Sequence, residues 1–150
     1  MAAEIERKFL VSGEFRDIAV REIHIIQAYL SVDPERIIRV RITEDSASLT
    51  VKSGNENGTY LKRKEWNIII DRSIAEEIMQ ICLPGRIYKT RFIVPYGRHQ
   101  YEVDVFHGAN EGLIIAEIEL TGEDEEFERP DWLGKEVTGD PSYNNSNLIK

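Results

Sequence analysis

Cysteine is almost missing from this sequence. Cys82 alone can form no internal disulfide, which excludes a disulfide-stapled scaffold and favours a reducing cytosol. Long apolar runs are missing too. No hydrophobic stretch reaches the ~18 residues of a membrane span, and MAAEIERKFLV meets a charge within its first four residues. The sequence therefore predicts no transmembrane helix, no signal peptide and no membrane partner, and a cytoplasmic protein is expected. Bases are in deficit, with 19 Lys and Arg against 27 Asp and Glu and a formal charge of −8, so a general nucleic-acid surface is excluded. The phosphate loops GxxxxGK[ST] and GxGxxG are absent, as are CxxC and HExxH, and His24, His99 and His107 share no helical face. Any anion site must be a local basic pocket.

What is present is alternation. The 150 residues fit one domain spanning 1–150, and apolar and polar residues alternate in short runs bounded by Gly, Pro, Asn or Asp. The period predicts eight strands at 4–11, 24–31, 36–43, 47–54, 62–70, 86–94, 100–108 and 113–121. EDSA and NENGTY carry turn chemistry between them, so hairpins are the natural connection. One helix is expected over 73–82, where Ser73 and Glu76 have capping-box spacing and LPG stops it. Weaker helical patterns lie in 12–21 and near Asp131 to Glu136, after an acidic stretch. Trp66, Trp132 and Phe127 suit either internal packing or a homodimer interface.

Splitting each strand into its two faces separates charge from apolarity. One face carries Glu4, Glu6 and Lys8; then Arg39 and Arg41; Thr50 and Lys52; Arg63, Glu65 and Asn67. Later strands add Lys89 with Arg91, Glu102 with Asp104, and Glu117 with Glu119, while strand two is milder, with Gln27 and Tyr29. An ordinary wet face would also alternate. It would intersperse signs, however, whereas here like charges recur two residues apart and need counterions. If the strands close with these faces inward, seven bases and seven acids share the interior, and the whole acidic excess lies outside. Confined cations suit a chain of phosphates, and carboxylates without His or Cys suit Mg²⁺ or Mn²⁺.

These residues resemble the signature of the CYTH domain, the triphosphate tunnel metalloenzyme superfamily. The ExExK pattern at Glu4, Glu6 and Lys8 opens a series that continues with RVR at 39–41, TVK at 50–52, RKE at 63–65, KTR at 89–91, EVD at 102–104, AEIE at 116–119 and a Tyr143–Asn145 element. The resemblance implies a mainly β fold: an eight-stranded antiparallel closed β-barrel, open at both ends, with a few helices packed outside. It implies a small-molecule triphosphate in the tunnel with divalent metal. Glu4, Glu6 and Glu119 are then expected to hold a first metal, and Asp104 and Glu117 to support a second or its water. Lys8, Arg39, Arg41, Lys52, Arg63, Lys89 and Arg91 are expected to line the phosphate path.

The expected activity is metal-dependent hydrolysis of inorganic tripolyphosphate to pyrophosphate and phosphate. Glu65 or Glu117 is expected to orient the attacking water, with Lys8 and Arg39 acting on the reacting phosphates. Where many relatives carry a second acid two residues after Glu65, this chain has Asn67, which bears on how well strand five activates water. Alternatives are an adenylate cyclase of the same superfamily, which needs a base pocket, and a non-catalytic polyphosphate or nucleotide sensor. Phe106, Tyr29 and Tyr143 are read as packing residues, not as such a pocket.

Overall fold

The computed structural model describes residues 2–54 and 63–149, and for Ala2, Ala3 and Glu4 the backbone alone. The chain runs β1 (Ala2–Val11), β2 (Arg21–Asp33), β3 (Arg36–Ile42), β4 (Ala47–Ser53), β5 (Arg63–Ile70), α1 (Arg72–Gln80), β6 (Ile87–Tyr96), β7 (His99–His107), β8 (Ile114–Leu120) and β9 (Leu133–Glu136). Each strand expected from alternation is present, its ends moved by a few residues. Hairpins connect β2 to β3, β3 to β4, β6 to β7 and β7 to β8. The EDSA turn is closed by Thr43 N–H donating to the Ser46 carbonyl at 2.9 Å, whereas the NENGTY turn lies outside the described residues.

The strands of the described residues join one antiparallel sheet of nine, in the order β5-β4-β3-β2-β6-β7-β8-β1-β9. The expected count of eight is corrected by β9. β1, next to last in that order, also pairs with β5 across Ala2–Glu4 and Arg63–Glu65. A register shift between Tyr29 and Ser31 places an extra residue, Leu30, in β2 opposite β3.

Three helical expectations are corrected. Residues 133–136 form β9 instead of a helix, because a segment this short does not repay helix nucleation while the edge of β1 offers unpaired backbone groups. Val137 N–H donates to the Lys8 carbonyl and Ser12 N–H to the Trp132 carbonyl, at 2.8 and 2.9 Å. In 12–21 only a 3-10 turn, Arg16–Ile18, forms, since Phe15 is drawn wholly into the core against Phe92 and Trp132. The one α-helix among the described residues starts at Arg72, so its N-cap is Asp71 and Ser73 falls inside the first turn. The few helices expected outside the strands reduce to α1 and short 3-10 turns. No helix among the described residues is long and apolar enough to cross a membrane.

Apolar residues on the sheet's other face are covered in two places. α1 lays Ala75 and Met79, four residues apart, on Ala28, Val40, Ile42 and Ala47. Phe15 and Trp132 cover Phe9, Val94, Tyr101, Val103 and Ile118 on the far side. Trp132 is therefore internal, and Phe127 stacks edge-on to Phe9, whereas Trp66 stays 39% exposed. The charged face of the strands lines a cavity.

Candidate functional site

The charged residues expected on the inward face do converge. Arg39 and Arg41 of β3, Lys52 of β4, Arg63 of β5, Lys89 and Arg91 of β6 and Lys8 of β1 line one cavity of about 230 Å³. Glu6, Glu65, Glu102, Glu117 and Glu119 line it as well. Bases crowd β3, β4 and β6, while acids crowd the neighbouring strands β7, β8 and β1, so the cavity is polarised. Asp104 is placed differently: it is 1% exposed and lies behind Lys89 and Arg91, off the cavity surface. Glu4 stands opposite Arg63 in the β1–β5 backbone register, and its side chain lies outside the described residues.

Asp104 is the counterion of the basic wall. Lys89 Nζ donates to its Oδ2 at 2.6 Å, and Arg91 donates through Nε to Oδ1 at 2.8 Å and through Nη2 to Oδ2 at 3.0 Å. Burial opposes ionisation of Asp104, but Arg91 and Lys89 outweigh it and hold the carboxyl well below the usual range. Burial lowers Lys89 to about 7 despite Asp104. Burial, with the Arg39 and Arg91 guanidiniums close by, lowers Arg41 to about 9.

A second set of contacts runs across β3, β4 and β5. Arg39 Nη2 donates to Thr50 Oγ1 at 3.2 Å, Thr50 Oγ1 donates to Asn67 Oδ1 at 2.6 Å, and Asn67 Nδ2 donates to Glu65 Oε2 at 3.0 Å. Lys52 Nζ meets Glu65 Oε1 at 3.0 Å. Asn67 thus has one side tied to a hydroxyl and the other to Glu65. Arg39 Nε is buried with no hydrogen-bond partner.

On the acidic side, like charges face each other. Glu6 stands opposite Glu119 across β1 and β8, and Glu102 opposite Glu117 across β7 and β8. Such pairs destabilise a sheet unless a cation intervenes. Lys8 Nζ is 4.0 Å from Glu117, too far to neutralise the group alone. Burial and Glu6 raise the Glu117 carboxyl, and burial with Glu102, Glu6, Glu65 and Glu117 raises Glu119. The donor set is oxygen only, with no His or Cys on the cavity wall among the described residues, and fits a hard divalent cation. Among those residues no group of three acids is gathered into a ready-made cage.

An apolar cluster forms a floor beside the cavity, sharing Tyr29 and Ile37 with its wall. Tyr29, Ile37, Ile87, Phe106 and Ile115 pack with Leu148 of the C-terminal segment, and Tyr143 joins them. Phe106, Tyr29 and Tyr143 are packing residues, as expected. Above this floor Asn144, Asn145 and Ser146 line the cavity. Thr50, Gln27 and Asn145 were not identified as working parts by sequence reasoning. Thr50 and Gln27 carried one signal, their place on the inward faces of β4 and β2, and Asn145 ends the Tyr143–Asn145 element of the series.

The sequence profile described as the CYTH domain matches residues 2–145. A protein of Acetivibrio thermocellus named inorganic triphosphatase is 42% identical over 151 residues, covering 100% of this chain and 95% of that protein. A protein of Nitrosomonas europaea with the same name is 37% identical over 150 residues, covering 97% and 95%. The crystal structure of an inorganic triphosphatase superposes with a TM-score of 0.70 at 32% identity, covering 97% of each chain.

Proposed function

Since this chain belongs to the CYTH domain family, we propose that it hydrolyses inorganic tripolyphosphate to pyrophosphate and phosphate, with Mg²⁺ or Mn²⁺ as the supporting cation. The observation that carries this reading is the polarised cavity, with seven bases against five acids in about 230 Å³. Its size suits a small polyanion, and its two halves suit the anion's oxygens and a bridging cation. The short β1–β5 pairing supports closure of β1–β8 into a barrel around it, with β9 as an added edge strand. Lone Cys82, its thiol raised by burial, suits a reducing cytoplasm.

Arg39, Arg41, Lys52, Arg63, Lys89, Arg91 and Lys8 hold the extended phosphate chain, the guanidiniums by forked contacts and the ammoniums as point charges. Glu6 and Glu119, with Glu4 and Glu117, would hold the divalent cation, which supplies neutralising charge at the phosphate oxygens. Asp104 keeps Lys89 and Arg91 charged and aimed, a support role instead of the ligand role implied by resemblance. Glu65, fixed by Lys52 and Asn67, orients the attacking water. Glu65 also accepts its proton, which leaves Glu117 to the cation. The water oxygen bonds to a terminal phosphorus, the bond from that phosphorus to its bridging oxygen breaks, and the electron pair leaves with pyrophosphate.

The test is tripolyphosphate, ATP and thiamine triphosphate in parallel, each with Mg²⁺ and Mn²⁺ and with chromatographic separation of products. Tripolyphosphate is expected to give pyrophosphate and phosphate at the highest kcat/KM. Glu6→Gln and Glu119→Gln should abolish turnover with circular dichroism unchanged. Cyclic AMP from ATP overturns the hydrolase reading in favour of a cyclase, and tight tripolyphosphate binding without products overturns it in favour of a sensor.

A further inference from the structure

Asn145 sits in the C-terminal 3-10 turn Asn145–Asn147, yet its side chain reaches two arms of the basic wall. Its Oδ1 accepts from Lys89 Nζ at 2.8 Å and from Gln27 Nε2 at 3.1 Å. Gln27 is fully buried on β2, and its other amide contacts are directional. Nε2 also donates to Tyr29 Oη at 3.1 Å, while Oε1 accepts from Arg41 Nε at 3.1 Å and Arg41 Nη2 at 3.0 Å. The two acceptors, Tyr29 and Asn145, decide which way the amide faces. With both in place the oxygen points at Arg41. A flipped amide would set its N–H groups against the guanidinium, which donates only.

We propose that Asn145 is a positioning residue of the triphosphate site: through Gln27 it aims Arg41, and through Lys89 it braces the Asp104 pair that aims Arg91. This rests on the triphosphatase reading. One amide oxygen thereby joins two basic strands, β3 and β6, that are not neighbours in the sheet but are both neighbours of β2. The turn that carries it is held from below, since Leu148 is buried in the floor and its carbonyl accepts from Asn110 Nδ2 at 2.8 Å. The C-terminal segment therefore does more than complete the floor. It sets the direction of the arginines before any anion arrives, which lowers the ordering cost on binding.

The experiment compares wild type with Asn145→Ala, Asn145→Asp and Gln27→Leu. In the ligand-free protein, the Arg41 Nε–H resonance should be sharp in wild type and lost to exchange in Asn145→Ala. Arg7 Nε–H, which donates to Glu136 at 2.8 Å on β9, is the internal control and should not change. Asn145→Asp keeps an acceptor at the same place, so it should retain the Arg41 resonance even though its added charge weakens anion binding. By calorimetry in EDTA, Asn145→Ala should raise the Kd for tripolyphosphate about tenfold or more, the value of one charge-assisted contact. In turnover the loss should appear in KM more than in kcat. Gln27→Leu, read from the strand side, should cost a similar factor, and the double variant little more than either alone. A sharp Arg41 resonance in Asn145→Ala, or fully additive losses, overturns the proposal. Failure of wild type to bind tripolyphosphate would instead overturn the functional reading, and the ligand-free resonances tell the two failures apart.

Discussion

At the scale of single residues, the charges around the cavity include opposite signs in direct contact and like signs set face to face. Asp104 belongs to the first. Removing it leaves Lys89 buried without a close counterion and Arg91 with only Glu102 at 3.4 Å, and breaking a buried pair in this way costs about 3–5 kcal/mol. Asp104→Ala is therefore expected to lose about that much stability by urea denaturation at pH 7. The pH dependence has a definite sign. Its folded pKa lies below the unfolded value of about 3.9, so its contribution is complete above that value and is lost as pH falls through the folded one. The gap between wild type and variant should thus persist through mildly acid conditions and close only in strong acid. A gap that vanishes near pH 6 would contradict the pairing. Glu119 stands opposite Glu6 and Glu117 opposite Glu102, so the acidic side sets like charges face to face, which an external cation would offset.

Elements show how the cavity is assembled. Alternation placed the strands, because side chains two apart must share a face whatever the strand pairs with. It could not place β9, whose four residues become a strand only because β1 is there to pair with. Gly134 in β9 shows how close that approach is: a Cβ there would lie 2.9 Å from the Leu10 carbonyl oxygen. Gly134→Ala should force the two strands apart and destabilise the protein by about 1–3 kcal/mol, seen as a lower Tm. Since β1 also carries Glu6 and Lys8, kcat/KM for tripolyphosphate should fall at the same time. An unchanged Tm would mean that β9 is loosely held.

Over the whole molecule, ligand and fold are coupled. Opposed carboxylates lie on one side of the cavity and clustered cations on the other, and a bound cation and polyanion would offset both. Tripolyphosphate with Mg²⁺ at 100-fold above Kd should stabilise the fold by about 2.7 kcal/mol, read as a rise in Tm. Orthophosphate at the same concentration should do little, since it cannot span the basic wall. Equal shifts from both would point to general anion binding.

The amino-acid sequence by itself determined the strands and the sign pattern on their inward faces. The period of two makes both local properties, so Arg39, Arg41, Lys89, Arg91, Glu117 and Glu119 were legible without a structure. The helix over α1 was legible for the same reason, through its apolar spacing. Tertiary structure alone decided which of those charges face the cavity and which sit behind it. Asp104 and Glu102 share a face of β7, yet only packing against Lys89 and Arg91 withdraws Asp104 from the surface. It also decided the roles of Thr50, Gln27 and Asn145. A hydroxyl or amide has no fixed charge to mark it, and its direction depends on partners that come from 2 to 118 residues away along the chain. The C-terminal turn becomes part of the site because Leu148 finds an apolar floor among Tyr29, Ile37, Ile87, Phe106 and Ile115, five residues from five different strands that meet only once the sheet has curved.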